Sequence, residues 1–406
     1  MKSKINHVKI AIYKSMRRFF PLALIYSFVT IVNTLFLTPH SFFSETIGLK
    51  LYQNTYVNYV SSRLINFNNL VLGLIIGLFA AYLLKELLEE KVEKPFLSSL
   101  FQFLTVWFIL GSSNLIIDNR FVAQPFWVLL ILLAFLFAFA SHIVRKWEYQ
   151  FPMLVWIPII VLTYVATSFN TWANKFPNID PNFSWQGLFF KLAGSGPVHL
   201  YSVLLWSIIA IIIFSTGFPN PSFLIWPDSS LPSVSDNLNT ILKSSTAKIP
   251  HLFNLYTVHS PFALFGGVGL LLALACAMVI YLQQNPNPLS KRLLALSFIP
   301  LLFDQSLPFV MCFPLIFQPI LVIPMILSTL IAELIGASVL YLGWLTPAIY
   351  NVPNGTPNLL FGFLASNGDW RYLLIVLVIM IISTSIYYPF VKKIVKGEDD
   401  VQKVAQ

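Results

Sequence analysis

Cysteine and charge are both scarce in this chain, which has two cysteines and 10% charged residues among 406. Cys276 and Cys312 sit in apolar runs without CxxC or Cys/His spacing, so they read as small core residues and predict neither a disulfide framework nor a metal site. His142, His199, His251 and His259 are scattered without ligand spacing and read as packing or interface residues. No metal and no cofactor is therefore expected. Gly194 to Pro197 reads GSGP with no lysine after it, which excludes a phosphate-cradling P-loop.

The shortage of charge decides the class. A soluble domain carries about a quarter charged residues, whereas this chain is 57% hydrophobic and 16% aromatic. These values predict an all-α polytopic membrane protein. The net charge of +9 does not point to nucleic acid, because the basic residues stand between apolar runs and at the ends, as positive-inside topology requires. Residues 1–18 carry six basic residues and no long apolar core before Phe19, so no cleavable signal peptide is expected.

Taken in order, Ile5, Val8, Ile12, Met16 and Phe19 recur at helical steps among lysines and arginines, which predicts a basic amphipathic helix over 1–19 on the cytoplasmic membrane surface. A first span is expected at about 20–38, then a polar loop through Arg63 and a second run over 64–84. Gly73 and Gly77 in that run have the spacing that lets a neighbouring helix approach closely. The basic and acidic loop 85–94 is expected to be cytoplasmic. Runs near 96–117, 122–143 and 152–170 are each long enough to cross about 30 Å of hydrocarbon. Residues 170–197 form a polar, aromatic loop expected outside. From Val198 the spacers turn proline-rich or amphipathic, which marks a domain boundary. A sixth span over 198–217 stops at Gly217, Pro219 and Pro221, and 222–260 reads as interfacial or re-entrant; counting alone leaves open whether it crosses. The next uncharged run holds Gly266, Gly267 and Gly269, whose lack of a side chain permits close approach of a helix or a ligand. The last span, about 372–390, ends in an aromatic belt and a basic tail over 393–406. Both termini inside implies an even number of crossings, about ten.

The stretch 303–371 departs most from a plain span. Pro308, Pro314, Pro319 and Pro324 fall within one apolar segment, and Pro347, Pro353 and Pro357 interrupt the next. Each proline removes a backbone donor, so a lipid-facing helix cannot carry them this densely. Paired interruptions of this sort predict re-entrant hairpins near 303–320 and 346–368 around a transporter's binding site; two kinked helices are the plainer alternative. Asp304 is a lone carboxylate at membrane depth and hence a candidate for contact with substrate, with an ion pair to Lys291 or Arg292 as the alternative. Glu333 reads as an internal structural contact. Asn351, Asn354, Thr356 and Asn358 supply amides and hydroxyls suited to a neutral polyol, although Asn-Gly turn chemistry also explains them. Trp156, Trp206, Trp226 and Trp344 are able to stack on a sugar ring, or to serve as belt and core residues.

Several segments in combination carry a resemblance: the amphipathic start and first span, EKVEKPFLSSLFQFL (90–104), GGVGLLLAL (266–274), LPFVMCFPLIFQPILVIPMI (307–326), VPNGTPNLLFGFLASNGDWR (352–371) and STSIYYPF (383–390). The chain resembles the membrane (IIC) component of the lactose/cellobiose/diacetylchitobiose-type sugar phosphotransferase system. The resemblance implies a homodimeric permease in the bacterial plasma membrane, with an amino-terminal bundle (20–197) as dimer scaffold. A carboxy-terminal domain (198–392) would hold a sugar, and separate IIB and IIA proteins would carry the phosphoryl group. Where that family has Asn-Glu-Pro, this chain has Ser306, Leu307 and Pro308; where it has His-Gly, this chain has Thr216 and Gly217. The residues implied at the sugar are thus Thr216, Ser306, Leu307, Asp304, Asn354 and Thr356. None is a general base of the family's kind, since Leu307 cannot titrate. The alternative is a degenerate member without phosphotransfer, acting as receptor, regulator or facilitator.

Overall fold

A computed structural model describes residues 2–88, 96–110, 116–118, 123–148, 161, 164, 168, 181–226, 231–244, 248–285, 287–313 and 315–405. Most of the expected fifth span over 152–170, Trp156 included, most of the loop 85–94 and Pro314 lie outside the described residues.

The protein is a helical, multi-span membrane protein. Among the described residues four helical stretches are long and apolar enough to cross a bilayer: Phe20–Leu37, Thr55–Leu88, Pro319–Tyr341 and Arg371–Lys393. Shorter apolar helices, Trp127–Phe139, Leu200–Ser215 and Leu271–Gln284, add to the same apolar layer.

The amino-terminal helix Lys2–Arg18 forms as its periodicity predicts. Its face of Ala11, Ile12, Tyr13, Ser15 and Met16 is buried against protein, and Lys14 reaches Glu86 at 3.7 Å. Of the predicted apolar stripe, Ile12 and Met16 are buried in the chain's own core, and Val8 and Phe19 pack against it half-buried.

The first span, Phe20–Val32, continues as the π-helical turn Asn33–Leu37. The polar loop expected through Arg63 is largely helix, because Thr55–Leu88 is one element. Two of its polar residues, Ser61 and Asn68, are buried and bond across the helix pair. Ser61 Oγ donates to Asn33 Oδ1 at 2.7 Å, and Asn68 Nδ2 donates to Thr30 Oγ1 at 2.8 Å, bonds that hold helices together where apolar contact alone gives little preference over lipid. A Cβ on Gly77 would lie 3.0 Å from the Phe103 ring, so the glycine serves close packing of the Phe96–Leu110 helix.

The third expected span is helical over Phe96–Leu110, while residues 116–117 at its predicted end belong to a two-stranded antiparallel ribbon, Ile116–Asp118 with Ala123–Pro125, before the helix Trp127–Glu148. This ribbon and an isolated bridge between Ser41 and Asn354 depart from all-α structure. The predicted outer loop 170–197 contains the helix Pro181–Ala193.

In the carboxy-terminal part, glycine and proline divide several of the elements. The uncharged run predicted as one span divides into the π-helical turn Leu255–His259, the short helix Ser260–Ala263, a turn over 264–270, and the helix Leu271–Gln284. Gly266 dictates the break: its φ is +73°, and a Cβ there would lie 2.7 Å from the Leu272 amide nitrogen. The prolines of 303–324 mark separate elements rather than two kinked helices. Pro308 and Pro319 stand in the first turns of Leu307–Cys312 and Pro319–Tyr341, where the missing N–H costs nothing; only Pro324 is internal to a helix. The final helix runs unbroken from Arg371 to Ala405, so the expected tail 393–406 continues the last span as helix through 405.

Candidate functional site

Helix Pro288–Leu302 and the short helix Leu307–Cys312 form the two arms of a hairpin whose tip is 303–306. Cys312 Sγ lies 3.8 Å from Ser297 Oγ, which places the arms side by side. The hairpin therefore begins at 288, upstream of the predicted 303. Asp304, at the tip, adopts φ +60°, a conformation that aspartate tolerates better than most residues.

Asp304 is 8% exposed, and both of its carboxylate oxygens are used. Oδ1 accepts from Gly266 N–H at 2.8 Å and Oδ2 accepts from Asn358 N–H at 2.7 Å. Asn358 opens the helix Asn358–Ala365, so the carboxylate caps the free donors of a helix from another part of the chain. Asn358 Nδ2 in turn donates to the Leu264 carbonyl at 3.0 Å. One side chain thereby ties the hairpin tip, the glycine turn and the second proline-rich segment. Neither Lys291 nor Arg292 takes part.

A pocket enclosing about 650 Å³, counting its open mouth, lies at this junction. The first span contributes Thr34, the segment after Pro221 contributes Trp226, and the glycine turn contributes Gly267. Gln305 and Ser306 come from the hairpin tip and Thr356 from the second proline-rich segment. Polar and aromatic groups thus converge on one concavity, the usual form of a small-molecule site.

Of the six residues implied by the resemblance, Asp304, Ser306 and Thr356 line this pocket, while Thr216, Leu307 and Asn354 do not. Thr216 is exposed, and its Oγ1 donates to the Ile212 and Ile213 carbonyls at 2.8 and 2.9 Å, closing the end of its own helix. Leu307 is 6% exposed and packed in the apolar core. Asn354 fastens the second proline-rich segment to the loop after the first span: its N–H donates to His40 O at 2.7 Å and its Nδ2 to Pro39 O at 3.1 Å. The Thr356 hydroxyl donates to Pro353 O at 2.8 Å, which is the turn chemistry that the proline and asparagine pattern suggests.

Gly267, one of the glycines expected to permit close approach of a helix or a ligand, lines the pocket, whereas Thr34, Gln124 and Gln305 are lining residues that the sequence pattern did not single out. Thr34 and Gln124 belong to the amino-terminal half and reach the pocket only through tertiary packing. Gln305, a polar residue beside Asp304 in an apolar stretch, carried a signal of the kind used for Asp304.

No family model matches the chain. Among curated proteins, it is 24% identical over 213 residues to the cellobiose-specific EIIC component of the phosphotransferase system of Lactococcus lactis, covering 48% of this chain and 42% of that protein. It is 25% identical over 154 residues to the oligo-beta-mannoside-specific EIIC component of Bacillus subtilis, covering 36% of this chain and 32% of that one. This chain is similar to the IIC components of sugar phosphotransferase systems. The matched regions span less than half the length of either relative. A crystal structure of the transporter ChbC, the IIC component from the N,N'-diacetylchitobiose-specific phosphotransferase system, aligns with 98% of this chain and 95% of its own, at 17% identity and a TM-score of 0.44.

Proposed function

We propose that this protein is the sugar permease (IIC) subunit of a phosphotransferase system, moving a sugar, of disaccharide size, across the plasma membrane for phosphorylation by a separate IIB protein that receives its phosphoryl group from IIA. The similarity to cellobiose- and oligo-beta-mannoside-specific components carries the reading. It is supported by a pocket formed where two helix interruptions meet, the place a membrane transporter puts its substrate. The amino-terminal half, 20–197, would serve as dimer scaffold and 198–392 as the moving domain, with both termini cytoplasmic.

A second reading has its own observation. Leu307 stands at the family's glutamate position but is buried outside the pocket, and Thr216, at the histidine position, is exposed with its hydroxyl bonded to its own helix. A receptor or facilitator that binds sugar without supporting phosphotransfer accounts for both.

One experiment separates them. Binding of a panel of β-linked disaccharides to the purified chain, together with phosphorylation in membranes containing cognate IIA and IIB, supports the permease. Binding without phosphorylation supports the degenerate member. Neither signal across the panel sinks both.

A further inference from the structure

Three buried polar side chains lie apart from the pocket. Ser207 is on the Leu200–Ser215 helix, His259 ends the π-helical turn Leu255–His259, and Glu333 is in the middle of Pro319–Tyr341; each is at most 1% exposed. Glu333 Oε1 lies 2.6 Å from His259 Nδ1. Ser207 Oγ is 2.9 Å from the same nitrogen and donates to Glu333 Oε1. His259 Nε2–H donates to the Leu224 carbonyl at 3.2 Å. These are the residue types of a hydrolytic triad, but a triad engages serine and carboxylate at opposite ring nitrogens. Here both meet Nδ1, and none of the three lines the pocket.

The proton inventory singles the cluster out. The bond to Leu224 puts one proton on Nε2. The Nδ1 to Oε1 contact needs a second, carried by ring or carboxyl, because a bare lone pair facing a carboxylate oxygen repels it. With that shared proton the pair is neutral overall; without it the pair carries a net negative charge in an apolar interior, which is costly. Among the described residues the packed elements bring no free cation to the pair: the helix Arg371–Ala405, which packs on Pro319–Tyr341, carries Lys392 and Lys393 at exposed positions. Leu200–Ser215, Ser260–Ala263 and the segment 222–226 hold no Asp, Glu, Lys, Arg or His, and Pro319–Tyr341 holds Glu333 alone. Tyr256 donates its hydroxyl proton to Tyr350 O, Tyr372 to Thr346 O and Tyr387 to Gly269 O, and Arg371 is paired with Asp369. Glu333 Oε2 has no hydrogen-bond partner among the described residues.

The elements joined here run to the pocket. Leu224, held by the imidazole, is followed by Ile225 and Trp226, both pocket-lining. The helix of Ser207 ends at Ser215, whose carbonyl accepts from Phe317 N–H at 2.9 Å just before Pro319–Tyr341 begins. His259 is five residues before Leu264, which lines the pocket and accepts from Asn358.

We propose that the His259–Glu333 pair is a proton-binding site that sets the shape of the pocket. With the shared proton bound, the imidazole holds Leu224 and the wall that follows it. When the proton leaves to water, the Nδ1 to Oε1 contact opens and that wall is released, so sugar binding weakens as pH rises. The last clause rests on the sugar-permease reading; the proton site does not.

The test uses the full-length chain in lipid nanodiscs. Hydrogen exchange of a peptide covering 222–226 and the melting temperature are followed between about pH 5 and pH 9. Once exchange is divided by the intrinsic rate, which base catalysis raises steadily with pH, wild type should show a single-proton transition, with lower protection and a lower melting temperature on the alkaline side. Glu333→Gln, whose amide can donate to Nδ1 but cannot release the proton, should flatten it; His259→Gln should do the same. His40→Gln, in an exposed pair with Glu45, should leave it intact. A flat wild-type profile, or the same transition in Glu333→Gln, overturns the site; if that variant does not fold, His259→Gln and the wild-type profile decide. Cellobiose affinity at the same pH values should fall several-fold across the transition in wild type and stay level in Glu333→Gln. An intact transition with no disaccharide bound at any pH upholds the proton site and overturns the sugar reading.

Discussion

Asp304 and Asn358 are joined across the centre of the carboxy-terminal half: Asp304 Oδ2 accepts from the Asn358 backbone N–H at 2.7 Å while Oδ1 accepts from Gly266 N–H at 2.8 Å. The residue at the hairpin tip is therefore a carboxylate whose oxygens face two backbone donors, and its first duty is to hold the pocket's walls together.

Asp304→Asn should destabilise the protein sharply despite its similar shape. An amide offers one acceptor and one donor group where two N–H donors point, so a buried donor is left facing an NH2, at a cost of about 1–3 kcal/mol. Melting of the variant in detergent is the check. A midpoint equal to that of wild type would show that the three segments are held by other contacts.

Two glycine substitutions separate backbone conformation from space. Gly266→Ala meets both a φ of +73° and the Leu272 nitrogen at 2.7 Å, whereas Gly343→Ala meets a φ of +69° with nothing within 4 Å. The second should cost about 1 kcal/mol and the first clearly more. Equal losses in melting temperature would mean that the 264–270 turn relaxes freely.

Restoring the family's glutamate should not restore a site. Leu307 is 6% exposed in the apolar core, so Leu307→Glu buries an unpaired carboxyl there and should lower the yield of folded protein without adding sugar binding or phosphotransfer. The same holds for the double variant with Thr216→His. A double variant that gains either activity would show that the hairpin tip takes a different register when occupied.

Trp226 lines the pocket with Phe214 and Phe303 and stands edge-on to Phe361, with ring centroids 6.1 Å apart. If sugar binds here, Trp226→Ala should weaken binding by about tenfold, the scale of a lost aromatic stack, while Trp226→Phe keeps most of it. Calorimetric titration with the best disaccharide of the panel distinguishes the two, and unchanged affinity in Trp226→Ala would place the sugar elsewhere.

Acid stability should report on Asp369. Partial burial pushes its carboxyl up, but the Arg371 guanidinium at 2.7 and 2.8 Å and the Thr346 and Arg371 N–H groups outweigh this and hold it at about 2. Because the folded value lies below the ordinary value of about 3.9, the contribution is fully present above that value and is lost as pH falls through about 2. The melting difference between wild type and Asp369→Asn should be constant above about pH 5 and shrink below about pH 4. A difference independent of pH would mean that the carboxylate charge contributes nothing.

Much of this was legible in one dimension. Low charge and long apolar runs specify a membrane chain, because unpaired charge is costly in hydrocarbon. Proline and glycine density locates the helix interruptions, because a missing N–H and a positive φ act locally and need no partner to be known. Asp304 and Glu333 stood out as lone carboxylates for the same reason. Their partners did not. Glu333 and His259 are 74 residues apart, and Asp304 finds its donors 38 and 54 residues away. The polar start of the helix at Thr55 likewise read as a loop, since the bond of Ser61 to Asn33 exists only once two helices pack. Composition and local backbone chemistry determined by themselves that the chain enters a membrane and where its helices break. Only the tertiary structure decided which buried polar atoms meet. A hydrogen bond satisfies a carboxylate whatever the sequence separation, so residue type predicts the need for a partner and packing alone names it.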